Sequence, residues 1–148
     1  MTSTTTPVTT APSIVRRRVT VATPPAVLFE LLTDPTAHAQ LDGTRSVKGV
    51  ATAPDRLVLG SEFTMRMKGY TTQNRVVEYR RDELIAWRHR GRHIWRWELR
   101  EVPGGTEVTQ TFDYGGKRAH GIVRLLGIPR RADAALATTL DQLRLRFA

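Results

Sequence analysis

Apolar and polar positions change their period twice along the chain. Residues 14–22 are rich in β-branched side chains, which predicts a first strand. In the next stretch Val27, Leu28, Leu31 and Leu32 recur at helical spacing. Thr23 is the candidate N-cap, Pro24 and Pro25 suit the opening of a helix, and Pro35 stops it near Asp34. Residues 36–43 predict a second short helical turn that ends at Gly43.

From Arg45 to Tyr114 the period becomes two. Phe63, Met65 and Met67 alternate with Glu62, Thr64, Arg66 and Lys68. Ile85, Trp87 and His89 share one face of the following run, and His93, Trp95, Trp97 and Leu99 share one face of the next. The sequence Pro103-Gly104-Gly105 signals a turn. Beyond it, Val108, Gln110, Phe112 and Tyr114 oppose Glu107, Thr109, Thr111 and Asp113. Short turns joining five or six such runs predict a meander of antiparallel hairpins.

After Gly116 the pattern is helical again. Ile122, Val123, Leu125 and Leu126 suggest a short helix broken near Gly127–Pro129. Over Arg130–Phe147, the residues Leu136, Leu140, Leu143 and Phe147 form a single apolar stripe. A curved antiparallel sheet cannot bury its apolar face alone, and this terminal stripe supplies the cover. The Trp95/Trp97 face is therefore expected to point toward the terminal helix.

Composition narrows the functional classes. A length of 148 residues fits one domain, and no second domain or internal repeat is visible. Residues 1–13, rich in Thr, Pro and Ser, read as a disordered tail ahead of a domain over 14–148. They have neither the basic start nor the apolar core of a secretory signal, so the cytoplasm is the expected compartment. No apolar run approaches the roughly 18–20 residues that a transmembrane helix needs. There is no cysteine, which removes disulfides and thiolate chemistry. The formal net charge of +9 allows weak attraction to anionic surfaces. The basic residues are dispersed and no nucleic-acid reading module is present, so no specific nucleic-acid partner is expected.

Four segments carry a resemblance. They are VATPPAVLFELLTDP after the first strand, the strand pair NRVVEYRRDELIAWRHRG, the hairpin WRWELREVPGGTEVTQTFDYG, and the closing helix. Over about residues 14–147 the chain resembles the START-like, or SRPBCC, superfamily, which includes proteins labelled polyketide cyclase/dehydrase or lipid transport. The resemblance implies an α+β helix-grip fold. In it, a curved antiparallel sheet of six to seven strands wraps a long C-terminal helix, with two short helices after strand 1. It also implies a cavity between sheet and helix that binds a lipid, a polyketide or another apolar or aromatic molecule. The alternatives are a cofactor-free polyketide cyclase, aromatase or dehydratase, and a protein-interaction module.

Alternation nominates Phe63, Met65, Met67, Trp87, Trp95, Trp97, Gln110, Phe112 and Tyr114 as cavity lining. Tyr70 is placed near the rim. His89, His93 and Tyr114 are the candidates for moving a proton. Arg66, Arg88 and Arg96 are expected on the solvated outer face, together with Asp113. Glu78 would act as a base only if buried. His38 and His120 receive no role. The four histidines have no metal-ligand spacing, so neither metal nor cofactor is expected.

Overall fold

In the computed structural model, residues 5–9, 14–43, 46–89, 93–115 and 127–148 are described. The first strand, β1, spans Thr6–Thr9, and β2 spans Ile14–Val21. Helix α1, Pro25–Thr33, is followed by a 3-10 turn at Pro35–Ala37 and a one-turn helix α2, His38–Leu41. Six strands then follow in order: β3 Val47–Thr52, β4 Glu62–Met67, β5 Thr71–Arg80, β6 Leu84–His89, β7 Ile94–Val102 and β8 Gly105–Asp113. The closing helix α3 spans Ile128–Arg146.

All eight strands form one antiparallel sheet in the order β1-β2-β8-β7-β6-β5-β4-β3. Strands β3 to β8 are the expected meander, and β2 closes it by pairing with β8. This is the α+β helix-grip architecture. Two expectations need correction. The unstructured tail is interrupted, because Thr6–Thr9 pairs with β2 as an edge strand. The cap of α1 is Pro24 in an extended conformation, with no side-chain cap bond, so Thr23 lies one position too early to serve. The short helix expected at 122–126 and His120 lie outside the described residues.

The stripe on α3 does cover the sheet. Leu136 and Leu140 are fully buried and Leu143 nearly so. Leu140 and Leu143 join a core made by α1, Leu57 and the middle of the sheet. Leu136 and Ala132 pack instead with Val15, Phe112 and Tyr114. A charged residue also enters this layer. Arg17 lies on the inward face of β2 between Val15 and Val19, and it grips Asp133 of α3 through two bonds of 2.7 and 3.0 Å. Its Nη1 also reaches the hydroxyl and carbonyl of Thr5, at 2.7 and 3.3 Å.

A β-bulge in β5 reverses the sense of alternation. The register slips between Val76, opposite Trp87, and Glu78, opposite Ala86. One extra residue turns every later side chain to the other face. Tyr79 thereby faces inward against Phe29, with ring centroids 5.4 Å apart. Glu78 faces outward and binds Arg96 at 2.6 Å. Arg96 is therefore half-buried and ion-paired, not simply solvated as expected, whereas Arg66 and Arg88 are exposed. Asp113 is half-buried, and its Oδ1 accepts the Gly115 N–H at 2.9 Å.

Candidate ligand cavity

The cavity arises from the residues that α3 lacks. Its second half presents Leu140 and Leu143 to the sheet, and the gap is filled. Its first half presents Ala132, Ala135 and Thr139, which are too small to reach across. Strand faces rich in large side chains then enclose about 940 Å³. Helix α2 and its flanks close one side through His38, Leu41 and Ser46.

The wall has a regular register. Trp87 lies opposite Trp95, and Trp95 lies opposite Phe112. The Trp95 and Phe112 rings meet with centroids 4.5 Å apart. One pair further along, Trp97 lies opposite Gln110. On the other flank Phe63 pairs with Asn74, and Asn74 with His89. Offset and edge-on ring contacts of this kind hold aromatic faces apart and leave surface for a flat ligand.

The structure brings Phe63, Met65, Met67, Trp87, Trp95, Trp97, Gln110 and Phe112 to this one lining, together with His89 and His93. Tyr70 lies at its edge and is 61% exposed. Tyr114 is the exception. It is buried against Val15, Phe112 and α3, away from the lining, so it is packing and not a polar handle.

His38 was given no role by alternation, yet it lines the cavity and is buried. Its ring stacks on Trp87, and its Nε2 lies 3.0 Å from the Leu32 carbonyl. A carbonyl only accepts, so Nε2 carries the hydrogen and Nδ1 keeps the lone pair. Burial lowers its pKa from 6.5, opposed by the Leu32 bond and by Asp34. Asn74 was also missed. Its amide donates weakly to the carbonyls of Phe63 and Thr72, both at 3.4 Å, and to the Thr72 hydroxyl at 3.2 Å.

His89 is drawn down to about 4, mainly by burial and secondarily by His93 beside it. The two strands meet there through the His89 N–H, which donates to the His93 carbonyl at 2.8 Å. Near neutral pH the cavity wall therefore holds uncharged imidazoles at His38 and His89. The formally charged lining residues, Asp42 and Arg131, lie at the end of α2 and in the first turn of α3. Asp42 Oδ2 accepts the Val47 N–H at 2.8 Å. Among the described residues, no group of three or more histidine or carboxylate side chains could hold a metal. No helix among them is long and apolar enough to cross a membrane.

Comparison with known proteins agrees with this architecture. The uncharacterised protein Rv0088 of Mycobacterium tuberculosis is 37% identical over 154 residues, which cover 98% of this chain and 69% of that protein. Among solved structures, a Rhodobacter sphaeroides protein superposes with a TM-score of 0.70 at 16% identity, covering 96% of both chains. Protein Ms6760 of Mycobacterium smegmatis gives 0.68 at 15% identity, again over 96% of both. The Aha1 dimer of Colwellia psychrerythraea gives 0.66 at 15% identity, over 90% of this chain and 95% of that one. At such identities the structural likeness concerns the fold alone. Residues 13–148 match the family described as polyketide cyclase / dehydrase and lipid transport, and the chain belongs to that family.

Proposed function

We propose that the domain binds a hydrophobic small molecule between its sheet and α3. The observation that carries this reading is the cavity of about 940 Å³, walled by Trp87, Trp95, Trp97, Phe63, Phe112 and two methionines. Burying a ligand's apolar surface there stabilises the complex by roughly 25 cal/mol per Å². The family description, which joins cyclases with lipid transport, supports an apolar ligand of this class.

A cofactor-free cyclase or dehydratase is the second reading. It needs a proton acceptor whose pKa lies near the working pH. His89 lies on the wall, but at about 4 it is a weak base at neutral pH, which favours binding over chemistry.

Titration with trans-stilbene, followed by tryptophan emission, tests the proposal. Saturable quenching with a single affinity is expected. A linear, unsaturated response to trans-stilbene, a sterol and a fatty acid alike would remove the binding reading.

A further inference from the structure

Among the described residues, three buried side-chain polar atoms have no hydrogen-bond partner: Asn74 Oδ1, Trp97 Nε1 and Gln110 Oε1. Each belongs to a residue that is at least 95% buried, and each of these residues lines the cavity. An unsatisfied buried polar group costs about 1–3 kcal/mol, and native proteins hold few of them. Three on one cavity wall form a pattern that apolar packing does not explain.

Their chemistry is specific. Trp97 Nε1–H can only donate, and the two amide oxygens can only accept. The Asn74 orientation is set by its amide nitrogen, which already donates to Phe63 and Thr72. Trp97 and Gln110 sit directly opposite each other on β7 and β8, so one hydroxyl between them can accept from the indole and donate to Oε1. Asn74 lies elsewhere. Its partner His89 is four residues along β6 from Ile85, which is the partner of Trp97. Strand geometry separates the two handles by roughly 13 Å along the strands and roughly 10 Å across them. Between them run the faces of Trp87 and Trp95.

We infer that the cavity recognises an elongated, uncharged, largely aromatic molecule with a hydroxyl at each end, one held by Trp97 and Gln110 and the other donating to Asn74. This inference rests on the binding reading and adds the ligand's polarity and length to it. A carboxylate would place negative charge against the two amide oxygens, with no cationic side chain on that sheet face to offset it. A hydrocarbon or an ether would leave both oxygens unpaired. The three atoms are closely covered, and the soft terminal torsions of Asn and Gln let them turn toward a bound hydroxyl.

The test is a ladder of four rigid probes on the full chain: trans-stilbene, its para-hydroxy derivative, its para,para′-dihydroxy derivative, and the para,para′-dimethoxy compound. A fifth, para-carboxystilbene, tests charge. Affinity should rise about tenfold with each hydroxyl, and should fall back for the dimethoxy and carboxylate compounds. Gln110→Met should remove one increment and Asn74→Leu the other, with trans-stilbene affinity held. Trp97→Phe gives an independent check at the first handle should either amide variant fold poorly. Equal affinity across the uncharged probes would overturn the hydroxyl inference and leave the apolar cavity standing. So would tighter binding of the carboxylate, or a hydroxyl preference unchanged in every folded variant. No saturable binding of any probe would remove both readings.

Discussion

His38 lies flat against Trp87, with ring centroids 4.9 Å apart and planes 23° from parallel. The contact couples the short helix after α1 to the aromatic wall. It also places an imidazole where protonation is costly.

Acid should therefore loosen the domain well above the range where its carboxylates titrate. Burial lowers His38 from 6.5 and takes His89 from 6.5 to about 4. Below pH 6.5 the unfolded chain takes up these protons before the folded one does, so stability falls as pH drops toward 4. Thermal unfolding between pH 7 and 4.5 should show a falling Tm, and the slope should flatten in His89→Gln. A Tm constant over that range would contradict the burial of both rings. The contribution of Asp34 comes at lower pH, because its bonds to Thr36 hold it below 3.8.

Filling the gap left by the small residues of α3 should abolish binding without unfolding the protein. Ala135 is half-buried at the cavity wall, so Ala135→Phe can project into the open volume. Saturable trans-stilbene quenching should disappear, while the Tm stays the same or rises, as cavity-filling substitutions often raise it. Retained affinity would place the ligand elsewhere.

The second half of α3 should behave in the opposite way. Leu140 is fully buried in the main core. Leu140→Ala should cost about 2–5 kcal/mol in denaturant unfolding. A loss of only a few tenths would mean that the stripe does not seal the sheet.

The Arg17–Asp133 clamp should matter more than a surface ion pair. Arg17 is 16% exposed and makes two bonds to Asp133 and two to Thr5. Arg17→Met should cost about 1–3 kcal/mol, since charge-assisted bonds are lost from a part-buried site. A double-mutant cycle with Asp133→Asn measures the coupling, and a coupling near zero would reduce the clamp to a solvent contact.

Most of the architecture is legible in the sequence because period is a local property. Phe63, Met65, Trp87, Trp95, Trp97 and Phe112 follow strict alternation, and all reach the same wall. Leu136, Leu140 and Leu143 follow the helical repeat and are buried. What alternation misses is non-local. Glu78 and Tyr79 are reversed by a bulge that no turn residue announces. His38 becomes a wall residue only because α2 folds back against β6, and nothing in its neighbourhood in the chain indicates Trp87. Tyr114 has the right parity but lies past the end of β8, where α3 covers it. Asn74 reads as a polar interruption in a strand, and its role depends on Thr72 and Phe63 holding its amide.

The closure of β2 onto β8 has a kinetic consequence. Arg16 meets Thr111 across 95 residues of chain, and Arg17 meets Asp133 across 116. Contacts this distant in sequence require loop-closure entropy to be overcome before any of them forms, which slows folding. The meander from β3 to β8 can assemble from neighbouring hairpins, but its concave face stays uncovered until the first and last parts of the domain meet. The binding chamber is thus among the last features to form in refolding and among the first to open in unfolding. A ligand that needs the finished chamber would leave the refolding rate alone and act as a brake on escape from the native state.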